Sequence, residues 1–196
     1  MSSKRVFGSL AAACLALVSC MAHGANVTRP SVPGDLEPPS SQKPFLVAHA
    51  IGTQNYVCFV SATGVASWVQ YGPQAVLLDD RGNQITTHFL SLSPEATPAA
   101  RPTWQHSRDT SAVWALTPPL VTYGQPDYVE AGAIPWLLLA VAATSDGPNG
   151  GDRFEGTTYI QRVHTSGGIK PATSCQEGDK AFVPYAADYY FYKARD

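Results

Sequence analysis

From Phe45 onward, short runs rich in Val, Ile, Tyr, Phe and Trp are separated by Gly, Pro, Asn and Asp. β-Branched and aromatic side chains suit a pleated, half-buried surface and the separating residues set turns, so the pattern is one of strands and turns. It predicts strands at Phe45 to Ala50, Asn55 to Val60, Ala66 to Tyr71, Ala75 to Leu78, Gln84 to Phe89, Ala112 to Leu116, Trp136 to Ala143, Thr157 to His164 and Asp188 to Lys193. Asp80-Arg81-Gly82-Asn83 reads as a hairpin turn, because Gly82 takes positive φ at little steric cost. Ile134 to Ala143 shows no alternation and fits either a buried strand or a short helix. Pro135 and the turn cluster Asp146 to Gly151 favour a central strand covered on both faces. Ser91 to Pro102, with Pro94, Pro98, Ala99 and Ala100, reads as a surface insertion. Short strands without alternating amphipathic helices predict one all-β domain over 45–196. Its fold is expected to be a single antiparallel β-sandwich or barrel-like domain with long loops.

Two segments precede that domain. Residues 25–44 hold Pro30, Pro33, Pro38, Pro39 and Pro44 among Ser, Gly and charged side chains, with almost nothing to bury, and are expected to form an extended linker. Residues 1–24 begin with Lys4 and Arg5, continue through an apolar run from Val6 to Val18 and end in small residues. That run is too short to span a bilayer stably and has the form of a cleaved secretion signal. Leu17-Val18-Ser19-Cys20 resembles a lipoprotein box, which would lipidate Cys20; Ala22-x-Gly24 resembles an ordinary signal-peptidase site. Both remain open, and the expected location is periplasmic, outer-membrane-anchored or secreted. Any membrane association would come through a lipid at Cys20.

Charge and cysteine usage narrow the classes. Removing residues 1–24 takes two of the 13 basic residues and none of the 15 acidic ones, leaving 11 − 15 = −4. Without a Lys/Arg stripe there is no electrostatic footprint for nucleic acid. Cys14 and Cys20 lie in or beside the signal, so Cys58 and Cys175 form the one pair in the domain. In an oxidising compartment such a pair is expected to form a disulfide. The rival reading is two free thiols, or a thiol nucleophile beside His49.

No motif names a reaction. A G-x-S-x-G elbow and a G-x-G-x-x-G turn are both absent. His49, His88, His106 and His164 lack metal-ligand spacing, so no metal and no cofactor is expected. Gln54, Tyr56, Arg162, Thr165, Asp188 and Tyr190 alternate along their strands and are expected to share one face inside a barrel or cleft, as a small-ligand site requires. A polar network that stitches the sheet would use the same residues. Trp104, beside the presumed insertion, is the ring expected to be exposed for stacking on a sugar. The leading expectation is a non-catalytic module that binds a small molecule or glycan, with His49, His88 and Trp104 joining the polar set. The alternatives are a hydrolase or metal-dependent enzyme using His49 or His88 with Asp188, and a structural envelope protein.

Several motifs agree in order with one family. His49-Ala50-x-Gly52-x-Gln54-x-Tyr56-x-Cys58, Pro135-Trp136-Leu137-Leu138, Tyr159-Ile160-Gln161-Arg162-Val163-x-Thr165-Ser166-Gly167-Gly168, Cys175 and Pro184-Tyr185-x-Ala187-Asp188-Tyr189-Tyr190-Phe191-Tyr192 resemble the domain of unknown function 3455 family. The resemblance implies a secreted or envelope protein of bacterial or fungal type, with no established activity. Some fungal members carry a malate dehydrogenase label, for which this chain lacks the nucleotide fingerprint. The family's compact His, Gly, Pro, Thr, Trp run is here divided, with His88 separated from Thr103-Trp104 by the Pro/Ala-rich stretch.

Overall fold

The computed structural model describes residues 27–195, so the secretion signal and the lipidation candidate Cys20 lie outside the described residues. Nine strands follow a single 3-10 turn at Gly34–Leu36: β1 Gln42–Val60, β2 Ala66–Leu78, β3 Gln84–Leu92, β4 Ala100–His106, β5 Ala112–Ala115, β6 Val121–Tyr123, β7 Trp136–Ser145, β8 Thr157–Gly167 and β9 Lys180–Ala194. They form an antiparallel sheet in the order β5-β4-β3-β2-β1-β9-β8-β7-β6. β5 also pairs with β7, closing eight strands into a barrel with β6 as an addition. Closure removes the exposed edges that an open sheet of this length would present.

The expected pairs of short strands at 45–60 and 66–78 are each one long strand. Gly52 explains the first. It faces Ala75 across the ladder, and a Cβ at Gly52 would lie 2.2 Å from the Gln74 carbonyl oxygen. Absence of a side chain lets β2 approach and β1 run through. A register shift between Asn55 and Tyr56, beside Gly72, bends the pair further.

Alternation then sorts the side chains. Leu46, Ala48, Ala50, Leu77, Val113, Leu139, Ile160, Tyr185, Ala187, Tyr189 and Phe191 pack in one cluster that fills the barrel, with Phe154 against Phe191 at 4.9 Å between ring centroids. A second cluster lies outside the wall, where Leu36, Val129, Ala133, Trp136, Leu138 and Val163 pack together. β7 is therefore covered on both faces, as its unbroken apolar run predicts: Leu137 and Leu139 join the inner cluster, Trp136 and Leu138 the outer. Burial of each large apolar side chain contributes roughly 1.5–3 kcal/mol.

Three expectations are corrected. Residues 27–41 are not a loose linker. Leu36 is fully buried, Val32 packs beside it, and Arg29 lies over the Tyr192 ring while donating to the carbonyls of Pro38, Pro39 and Gln42. Apolar residues at 32 and 36 were too few to register as a pattern, yet they cap the outer cluster. Ser91 to Pro102 is largely strand: β3 runs to Leu92, β4 starts at Ala100, and residues 93–99 connect them, held by Ser93, Glu95 and Arg101. Asp188 and Tyr190 do not face the barrel interior, because Ala187, Tyr189 and Phe191 take the inward positions on β9.

The Cys58–Cys175 disulfide is formed, with the Cα atoms 5.9 Å apart. Cys58 also exchanges backbone hydrogen bonds with Gly178 and Asp179, so the loop after β8 is strapped to the end of β1. The Asp79 to Asn83 hairpin forms as expected, with the Asp79 carboxylate accepting from the backbone N–H groups of Arg81 and Asn83.

Candidate functional site

Apart from Tyr56 and Thr165, the sequence candidates separate into two groups on opposite sides of the barrel wall. Gln54 on β1, His88 on β3, Trp104 on β4 and Arg162 on β8 line an interior cavity of about 290 Å³, together with Gln70, Tyr189, Leu137 and Leu139. The barrel's closing seam explains where it opens. β4 pairs with β5 only from Thr103 to Gln105, and after β5 the chain shifts along the edge of β7 to form β6. Pro102, Thr117 and Pro119 flank the cavity at this point. Pro102 and Pro119 have no N–H with which to extend the ladder across the gap.

His88 and Trp104 are direct cross-strand partners, stacked with ring centroids 4.1 Å apart and planes within 8°. Tyr189 meets the Trp104 ring edge-on at 5.3 Å. The residues thought to be divided by an insertion are therefore in contact, because the connection between them is a β-hairpin. Trp104 is 1% exposed. The expectation of an exposed sugar-stacking ring is thus corrected: inward alternation on β4 places it in the core, and its indole Nε1 is buried without an acceptor.

His88 Nδ1 lies 2.8 Å from the Thr103 carbonyl oxygen. A carbonyl only accepts, so Nδ1 carries the proton and Nε2 keeps a lone pair. Burial drives the imidazole pKa down to about 3; the Thr103 bond opposes that shift and the Arg162 charge adds to it. At neutral pH His88 is an uncharged acceptor. Gln54, 1% exposed, accepts a hydrogen bond from the Gln70 amide through Oε1. Arg162 donates from Nε and Nη2 to the Pro135 carbonyl oxygen at 3.2 and 2.8 Å. Its charge reaches Tyr56, His88 and Tyr185, the two phenols being held above their ordinary value by burial while Arg162 opposes the rise.

Tyr56 and Thr165 are buried but structural in their contacts. Tyr56 donates to the Gly168 carbonyl at 2.7 Å, and Thr165 to the Ile134 carbonyl at 2.6 Å. Together they bind the end of β8 to β1 and to the segment entering β7.

The second group lies on the outer face. Asp188 accepts from Nδ1 of His49 at 2.6 Å and from Nδ1 of His164 at 2.7 Å, and Nε2 of His49 reaches Asp80 at 2.9 Å. Burial works against a charge on His49, but the two carboxylates outweigh it and raise the imidazole pKa. Tyr190 lies on this side too, packed against the outer cluster. His49 and Asp188 therefore pair with each other and do not meet His88. Among the described residues no three His, Cys, Asp or Glu side chains form a metal-holding group.

Strand alternation could have found Tyr189, inward beside an outward Asp188. His164 escapes that rule: its φ of 50° and the register shift between Val163 and Ser166 turn it outward, two residues after an inward Arg162. Gln70 and Pro102 become part of the site only through pairing across strands, which no local pattern records.

No curated protein and no solved structure matches the chain. One family model does, over residues 39–193, spanning the whole barrel except the two ends of the chain. It includes both the cavity and the outer histidine group, and its extent shows that the chain belongs to the family described as protein of unknown function DUF3455.

Proposed function

We propose that the protein is an exported, non-catalytic module that holds a small molecule inside its barrel. The observation that carries the reading is the cavity of about 290 Å³ into which Gln54, His88 and Arg162 converge beside the His88–Trp104 stack. Ligand sites combine mostly apolar walls with a few placed polar groups, and this one pairs Leu137, Leu139 and three prolines with two amides, a neutral imidazole and a guanidinium. Its size is at the small end of the usual range. The Cys58–Cys175 disulfide is compatible with an oxidising compartment.

The hydrolytic alternative required His49 or His88 to act with Asp188 at one site. The His88 form lacks its carboxylate, since His88 is interior and stays neutral near pH 7; His49 and Asp188 do pair, but on the outer face with His164 and apart from the cavity. A glycan reading loses its aromatic platform with Trp104 in the core. A thermal-shift screen of sugars, organic acids and metal ions on the mature chain tests the proposal. Stabilisation by members of one compound class is expected; a melting temperature unmoved by every class would overturn it.

A further inference from the structure

We propose that the interior cavity selects a small organic carboxylate with an apolar body, anchored by Arg162. This rests on the reading of the cavity as a ligand site and adds the chemical class. Arg162 is the single charged residue in the lining, which contains no acidic side chain. Two of its nitrogens converge on one carbonyl oxygen, Nη1 has no hydrogen-bond partner, and no carboxylate forms an ion pair with Arg162 among the described residues. A half-buried guanidinium without a counter-charge is costly, and an anion arriving from solvent would supply one.

The surrounding polar atoms lean the same way. Gln54 uses Oε1 for Gln70, and among the described residues its Nε2 donor has no partner. His88 Nε2 is the unused nitrogen acceptor on the two stacked rings. One fixed positive charge with a free amide donor beside it matches a carboxylate, whose two oxygens take several hydrogen bonds and suit the fork of an arginine. A lone cation flanked by Leu137, Leu139, Pro73, Pro102 and Pro119 favours a monoanion with an apolar remainder over a phosphate or a sugar, both of which need polar groups on several sides.

Matched pairs decide the matter on the unmodified mature chain. Benzoate, phenylacetate and hexanoate would be titrated beside benzamide, phenylacetamide and hexanamide, with binding followed by calorimetry and by tryptophan fluorescence. At least one acid is expected to bind ten-fold or more tightly than its amide, with affinity falling as salt is raised. Arg162→Met is expected to abolish the acid preference, Arg162→Lys to retain part of it, and His49→Gln on the outer face to leave it unchanged. Equal binding of acids and amides, or binding of neutral compounds alone, would overturn the carboxylate assignment and leave the cavity a binding site. If neither acids nor amides bind and the broad screen is also silent, both readings fall.

Discussion

A proton offered to His88 finds no carboxylate to meet it. The ring stacks on Trp104 and meets Tyr189 at 5.3 Å, its Nδ1–H already points at Thr103, and the nearby charge is the positive one on Arg162. Unfolding releases it to an ordinary imidazole, so the unfolded chain binds the proton that the folded chain refuses. With the folded value depressed from 6.5 to about 3, the stabilisation from keeping this ring neutral is complete above pH 6.5 and declines as pH falls toward 3. Each pH unit inside that window is worth about 1.4 kcal/mol, so acidification from pH 7 to pH 5 removes about 2 kcal/mol through this residue alone. His88→Gln keeps a donor for the Thr103 carbonyl and removes the titration, while losing the stack on Trp104. Urea unfolding at pH 7, 6 and 5 should show the variant less stable at pH 7, with the gap to the natural chain narrowing by about 2 kcal/mol at pH 5. Comparing gaps cancels the other titrating groups. Parallel stability profiles for the two proteins, or a His88 ring resonance that titrates near 6.5 in the folded chain, would refute the reasoning.

Two further outcomes follow from the same structure. His49 should show the reverse sign: its raised value means that its stabilisation is present below pH 6.5 and is lost as pH rises through the folded value, so His49→Gln should cost more stability at pH 5.5 than at pH 8 in the same urea experiment. Replacing Cys58 and Cys175 together by serine opens a loop with a sequence separation of 117, for which chain entropy sets a loss of roughly 4–5 kcal/mol. Urea midpoints with and without the bridge measure this, and equal midpoints would exclude the bridge as a stabilising element.

Legibility in the sequence followed the range of the interaction. The strands at 84–89, 112–116, 136–143 and 157–164 announce themselves by composition and local turns, and the structure places strands there. β4 was missed because Pro102 and the Ala/Pro-rich approach carry turn chemistry, although pairing with β3 outweighs it. Gln54 and Arg162 are legible as site candidates because alternation points them inward, whereas His88 stands out only as a histidine that could join them. Asp188 was assigned to the wrong side because alternation relates neighbours on one strand and does not say which face is the interior. That is fixed by the closing β5–β7 pair and by the cover of residues 27–41 on the outside, both long-range facts. The His88–Trp104 stack belongs to the same class: sixteen positions apart in sequence (104 − 88), the rings meet only through the hairpin register.

The docking of residues 27–41 sets how far the barrel can stand from a bilayer. Were a lipid carried at Cys20, the step of 27 − 20 = 7 residues to Val27 would reach at most roughly 25 Å even fully extended. Arg29 and Leu36 fix the following stretch to the outside of β8 and β9 through Tyr192 and Gln161. A lipidated protein would accordingly keep Val27 within that distance of the headgroups, a reach too short to sweep the width of a periplasm.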